Sequence, residues 1–335
     1  MLHNSESLTA TADYAPPLLV ALANTCIEAG RAIESIRSSD IGLQYKSDNS
    51  PLTKADLAAE LIIDQFLKRY NIPIISEEAS PQLFRSEDFK NSAYFLVDPL
   101  DGTREFVAGR AHYTVNIALV MHAYPLIGVV YAPALNVLYL GLCLGDHGSR
   151  TRVPRESALS LGRAWKFHAD SMLDGLSASM LVSEQHRIKT RIGNSARLHA
   201  LVSASHLDHQ TESWVAGHPV VERSDFGSSL KFCKLAEGFA DVYPRFAPTM
   251  EWDTAAGQAV LEAAGGIVTD EVSQRFQYGK SNWRNQAFIA WANPLFATKR
   301  FVENNATCDG DIQASNLPHH RQVYELIASL ADKSS

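Results

Sequence analysis

Apolar positions divide the chain into stretches of helical and of strand period. From Pro16, the run PPLLVALANTCIEAGRAIESIR places Leu19, Leu22, Cys26, Ala29, Ile33 and Ile36 near a 3.6-residue repeat, which predicts an amphipathic helix opened by proline. Residues 1 to 15 before it are polar and expected to fray. YKSDNSPLTKAD reads as a polar loop. Within it, Thr53-x-x-Asp56 ahead of LAAELIIDQFLKRY has the form of a capping box for a second helix, ending near Asn71. IPII at 72–75 and YFLV at 94–97 have strand length, and each runs straight into acids, Ser76-Glu77-Glu78 in one case and Asp98 in the other. YTVNIALVM, PLIGVVYA and NVLYLGL follow as strands divided by turn residues, which predicts a meander.

Residues 145–165, GDHGSRTRVPRESALSLGRAW, are polar, basic and weakly periodic, so they are expected to form an inserted loop near a boundary. MLVS, ALVSAS and VVER then read as strands, SLKFCKLAEG as a helix closed by Gly238, and FADVY as a strand. Asp253 reads as the N-cap of a helix ending at Gly265, and AFIAWAN at 287–293 as a strand before a polar tail and a last helical stretch, RQVYELIASL. No internal repeat is visible. The pattern predicts an α+β half over 16–165, an α/β half over 166–300 and an extension over 301–335.

Composition narrows the function. The chain has 335 residues, 46% of them hydrophobic and 20% charged, which is the balance of a folded globular protein. A net charge of −7 argues against a nucleic-acid polymer as partner, because that binding needs clustered Lys and Arg. Cys26, Cys143, Cys233 and Cys308 form no CxxC pair, so neither a zinc ribbon nor a disulfide framework is indicated. No transmembrane stretch and no secretion signal is read, so a cytoplasmic protein is expected, with peripheral attachment at the inner membrane left open. Gly279-Lys280-Ser281 is not a P-loop, since the required upstream glycine position holds Gln274.

Five acids carry the chemistry. Glu77, Asp98 and Asp101 follow strand ends, and Asp56 and Asp253 stand at helix starts; strand ends and helix starts can meet on one rim of a layered fold. Each pair of carboxylates about 4 Å apart would repel by roughly 4 kcal/mol at an effective dielectric of 20. No lysine cluster is adjacent in sequence. A hard divalent cation relieves that repulsion, and an oxygen-only ligand set suits Mg²⁺ better than zinc. Taken singly, the acids also read as helix caps, a solvated loop and an Asp-Pro turn.

SEE at 76–78, DPLDGT at 98–103 and WDTAAG at 252–257, in that order, resemble the signature of the Mg²⁺-dependent, lithium-sensitive phosphatases of the inositol monophosphatase superfamily. LVDPLDGTREF, YTVNIALV, GVVYAP, GSSLKFC and AEGFADVYPRF narrow the resemblance to its 3'(2'),5'-bisphosphate nucleotidases, over about residues 16–297. The resemblance implies a layered αβαβα sugar-phosphatase fold, and two or three Mg²⁺ ions held by Glu77, Asp98, the carbonyl of Leu100, Asp101 and Asp253. It implies that Thr103, paired with Asp56 and helped by Glu77, activates the attacking water, and that the amides of Gly102 and Thr103 hold phosphate. It also implies that Ser228, Lys231, Arg245, Ser205 and His206 meet a small nucleotide bisphosphate. A homodimer is compatible with the resemblance. A solvated helix lysine is the plain alternative for Lys231.

The implied reaction is removal of the 3'-phosphate of adenosine 3',5'-bisphosphate. The alternatives are an inositol or sugar monophosphatase of the same superfamily and a non-catalytic nucleotide-binding regulator. A haloacid-dehalogenase-type phosphatase is disfavoured, because its acids are two residues apart, whereas Asp98 and Asp101 are three apart.

Overall fold

The computed structural model describes residues 3–79, 89, 92–143, 162–168, 175–204, 208–297, 326, 329, 330 and 333, with side chains from Pro17 onward. Helix α1 covers His3–Arg37, so it starts well before the proline that the sequence pattern takes as its first turn. Pro16 and Pro17 lie inside it; proline prefers a helix start without requiring one. The apolar stripe is as expected, with Leu19, Leu22, Cys26, Ala29 and Ile33 buried. Helix α2, Lys54–Leu67, begins with the predicted box: the Thr53 side chain accepts from Ala55 N–H, and Asp56 accepts from Thr53 N–H. A 3₁₀ turn over Lys68–Tyr70 carries it to Asn71, which closes it with φ 55°.

A short hairpin of β1 (Gln44–Tyr45) and β2 (Pro51–Leu52) separates the two helices. The larger sheet then follows: β3 (Ile74–Ser76), β4 (Ala93–Asp101), β5 (Thr114–Met121), β6 (Tyr124–Ala132), β7 (Val137–Cys143) and β8 (Gly162–His168) lie in that order. β3 is parallel to β4, and the other pairs are antiparallel, as a meander requires. The expected 145–165 loop is therefore corrected at its end: Gly162–Trp165 belong to β8, where Trp165 and Ala164 are buried, and the rest of the loop lies outside the described residues. A short helix α3, Thr103–Val107, follows β4.

Residues Ala178–Val182 form helix α4 and not a strand. A short apolar run such as MLVS carries too few residues to tell the two periods apart. The smaller sheet has the order β10-β9-β11-β13-β12, built from β9 (Leu198–Ser203), β10 (Val220–Phe226), β11 (Val242–Arg245), β12 (Ile267–Asp270) and β13 (Phe288–Trp291). Helices α5 (His209–Ala216), α6 (Leu230–Ala236) and α7 (Ala255–Ala263) accompany it.

Three apolar clusters give the layer order. α1 and α2 bury Leu22, Ile33 and Ile63 against one face of the larger sheet, with Val97, Ile117 and Val129. The opposite face, through Leu96, Val120 and Tyr139, packs on α6 and α7, which in turn meet Tyr243 and Phe288 of the smaller sheet. The outer face of that sheet, with Val242 and Trp291, is covered by Trp214 of α5. The sequence of layers is αβαβα, as the resemblance implies. Of the 301–335 extension, Leu330 is buried in the first cluster, while the rest lies almost wholly outside the described residues. No described helix is long and apolar enough to cross a membrane.

Candidate active site

The three-residue spacing of Asp98 and Asp101 is resolved by a β-bulge. Side chains alternate faces along a strand, so residues three apart would point to opposite sides. Here Asp98 pairs with Asn116 and Asp101 with Thr114, three steps on β4 against two on β5, and the register shifts between them. The extra residue restores the phase and brings both acids to one face. Pro99 fits at this point because a bulge leaves one residue without a ladder partner. Gly102 follows at φ 94°, where a Cβ would lie 3.1 Å from His112 O, so the left-handed turn into α3 needs glycine.

Glu77, at the end of β3, and Asp253, just ahead of α7, complete the rim. Ligand oxygens of Glu77, Asp98 and Asp253 all lie within 4.8 Å of one another. Asp101 lines the same cavity, together with Leu100, Gly102, Thr103, Ser228, Lys231 and Arg245. The cavity measures about 430 Å³. Asp253 is not the N-cap of α7; Thr254 holds that place, and Asp253 Oδ2 accepts from Met250 N–H at 2.8 Å. A carboxylate turned back toward the preceding residues joins the other acids instead of the helix amides.

Burial and mutual repulsion show in the acidities. The Asp98 carboxyl is held well above the usual range, first by burial and then by Glu77, Asp101 and Asp253. Asp253 is raised in the same way, by burial and then by Asp101 and Glu77. Burial pushes Asp101 up to about 6, although Lys231 pulls it down. The donor set is carboxylate and carbonyl oxygen, which fits a hard divalent cation, and the raised pKa values reflect the repulsion and burial penalty that such a cation relieves.

One lysine, distant in sequence, does attend the acids. Lys46 Nζ donates to Glu77 Oε1 at 2.8 Å and to Glu78 Oε1 at 2.6 Å. It sits after β1, 31 residues before Glu77 in sequence, where no local pattern singles it out. Glu78, with a side chain 6% exposed, is pushed up to about 7, chiefly by burial.

Asp56 serves two elements at once. Its Oδ2 accepts from Thr53 N–H at 2.7 Å and from Thr53 Oγ1 at 2.5 Å, and its Oδ1 accepts from Thr103 Oγ1 at 3.0 Å. Capping α2 and hydrogen bonding to Thr103 are thus not rival readings of Asp56. Burial raises its pKa despite the Thr53 and Thr103 bonds. Thr103 Oγ1 is also 3.0 Å from Leu100 O, so its one proton has two alternative acceptors.

Lys231 is 3% exposed, which excludes the solvated-lysine alternative. Its Nζ donates to Ser228 O at 2.7 Å and Phe226 O at 3.1 Å, and burial lowers its pKa to about 8. Arg245 is buried at the cavity wall, with Nε donating to Ala247 O at 3.1 Å. Ser205 and His206 lie outside the described residues.

A layered αβαβα molecule with this acid rim matches the inositol monophosphatase family over residues 16–304, and the chain belongs to that family, which is metal-dependent. Among its relatives is the 3'(2'),5'-bisphosphate nucleotidase CysQ of Escherichia coli K12, 36% identical over 235 residues, which span 70% of this chain and 81% of that protein. CysQ of Salmonella typhimurium is 35% identical over 254 residues, 75% of this chain and 89% of that one. In solved structures, CysQ from Bacteroides thetaiotaomicron superposes with a TM-score of 0.65 at 34% identity, covering 81% of this chain and 95% of that one. Extragenic suppressor protein suhB from Bartonella henselae, at 19% identity and TM-score 0.57, covers 92% of this chain and 96% of its own and shares the fold.

Proposed function

We infer that this chain removes the 3'-phosphate of adenosine 3',5'-bisphosphate, giving AMP and inorganic phosphate, with Mg²⁺ held by Glu77, Asp98, Leu100 O, Asp101 and Asp253. The observation that carries this reading is that one cavity joins an acid rim to two buried cations, Lys231 and Arg245. An acid rim alone suits any phosphomonoester. Cations lining the same cavity suit a substrate with a second phosphate, and guanidinium forks readily onto phosphate oxygens.

Bound Mg²⁺ supplies positive charge that acidifies a water, holds phosphoryl oxygens and neutralises the leaving oxygen. The chain's own groups move the proton. Thr103 Oγ1 receives it from the attacking water while passing its own to Asp56 Oδ1, and the raised pKa of Asp56 suits a proton acceptor. Thr53 keeps Oδ2 of that carboxylate engaged, so Oδ1 is left to act. The amides of Gly102 and Thr103, at the start of α3, face phosphate oxygens.

The deciding measurement is phosphate release from adenosine 3',5'-bisphosphate against inositol 1-phosphate, with Mg²⁺ and with Li⁺ added. A higher kcat/KM for the nucleotide, abolished by chelation and inhibited by Li⁺, is expected. Preference for inositol 1-phosphate would move the chain to the sibling activity, and metal-independent turnover would end this reading.

A further inference from the structure

A one-way chain of hydrogen bonds ends on Asp101. Ser229 Oγ donates to Asn116 Oδ1 at 2.8 Å, and Asn116 Nδ2 donates to Asp101 Oδ2 at 3.4 Å. Since the single hydroxyl proton of Ser229 is committed to Asn116, Thr114 is the donor in the 2.9 Å contact between Thr114 Oγ1 and Ser229 Oγ. The main-chain N–H of Ser229 adds a bond of 2.7 Å to the same Asp101 Oδ2. Thr114, Asn116 and Ser229 are all buried. Ser228 just before has φ 50°, a left-handed conformation that serine adopts at a cost, and it turns the Ser229 amide toward Asp101. The two Lys231 bonds to Phe226 O and Ser228 O brace that turn.

We propose that Asn116 and Ser229 are positioning residues that clamp Oδ2 of Asp101 and so present its other oxygen, Oδ1, to the metal. The proposal rests on the reading of Asp101 as a ligand. A free carboxylate exchanges its two oxygens by rotation; two donors on one of them remove that freedom and fix which oxygen faces the cavity. The bulge contributes as well, because it sets Thr114 opposite Asp101 and Asn116 opposite Asp98, both on the cavity face. Ser229 comes from the segment that leads into α6, 128 residues away from Asp101, so ligand geometry on the larger sheet depends on the second half of the chain.

The test is Mg²⁺ affinity by calorimetry on the full-length protein, with thermal unfolding in EDTA as a check on folding. Asn116→Leu is expected to weaken Mg²⁺ binding by about 10- to 100-fold, the range for lost outer partners of a ligating carboxylate. Ser229→Ala keeps the amide and should weaken it less, and Thr114→Val less again. In the background of Asp101→Asn, Asn116→Leu should add under about twofold, since the clamp has lost its object. Wild-type affinity in both Asn116→Leu and Ser229→Ala, while Asp101→Asn alone binds weakly, would overturn the clamp and leave the ligand reading intact. Wild-type affinity in Asp101→Asn would overturn the ligand reading itself. Equal losses from Asn116→Leu in both backgrounds would show general packing and also overturn the clamp.

Discussion

Thr103 concentrates the chemistry in one hydroxyl placed between Asp56 Oδ1 and Leu100 O. Thr103→Val keeps the shape and removes the proton path. It should lower kcat by about 10²- to 10⁴-fold, the usual worth of a positioned acid or base, with the melting temperature nearly unchanged. Rapid-quench single turnover would check it, and a loss confined to KM would contradict the role. Lys231→Met is expected to raise KM for the bisphosphate more than for an inositol phosphate. It should also cost about 1–3 kcal/mol of stability, because Phe226 O and Ser228 O lose their donor. Equal loss of kcat/KM on both substrates would remove the nucleotide argument. At this scale the sequence is generous where a residue acts through local spacing: Glu77, Asp98, Asp101 and Asp253 were legible, and so was the Thr53–Asp56 box. Lys46, Asn116 and Ser229 were not, because their contacts with the acids come from cross-strand register and from a turn far along the chain.

Among the elements, α7 matters most, since Asp253 stands just before it and its backbone lies against the sheet. Three glycines permit that approach. A Cβ at Gly128 of β6 would lie 2.3 Å from Ala256 O, one at Gly141 of β7 2.6 Å from Ala259 O, and one at Gly162 of β8 2.6 Å from Ala263 Cα. Gly128 and Gly141 are direct cross-strand partners, so the helix rests in a groove of absent side chains. Gly141→Val should lift α7, cost about 1–3 kcal/mol by overpacking and displace Asp253 enough to weaken Mg²⁺ binding. Urea unfolding and metal titration together would show it; a stability loss with unchanged metal affinity would mean that the segment around Asp253 is held independently of the helix seat. Element type was readable wherever periodicity was long, as in α1 and α2. It failed at α4, where five residues carry no period, and at the start of β8, where a basic, polar lead-in masks a strand whose inner residues are buried.

For the whole molecule, the five layers follow from faces that each need covering. Sequence indicates that need but not which helix covers which face; α6 and α7 are shared by both sheets, which the chain order does not announce. The cost of this arrangement is a partly buried cluster of like charges at the junction, and it makes stability depend on pH and metal together. Asp98, Asp253 and Asp101, the last at about 6, and Glu78, at about 7, all have folded pKa values raised first by burial. A carboxyl raised in the folded state binds its proton more tightly there than in the unfolded chain. Its contribution is therefore fully present below the unfolded value near 4 and is lost as pH rises through the folded value. Protein in EDTA should thus lose stability between about pH 4 and 7 on account of these groups, an opposite trend to that of acids whose folded pKa is lowered. Mg²⁺ favours the ionised carboxylates, so it should stabilise most at the upper end of that window, by about 2.7 kcal/mol at a hundredfold excess over its dissociation constant. Melting curves at pH 5.5 and 7.5, with EDTA and with Mg²⁺, measure both effects. A metal-induced shift that is the same at the two pH values would show that the acids are not the groups the metal neutralises.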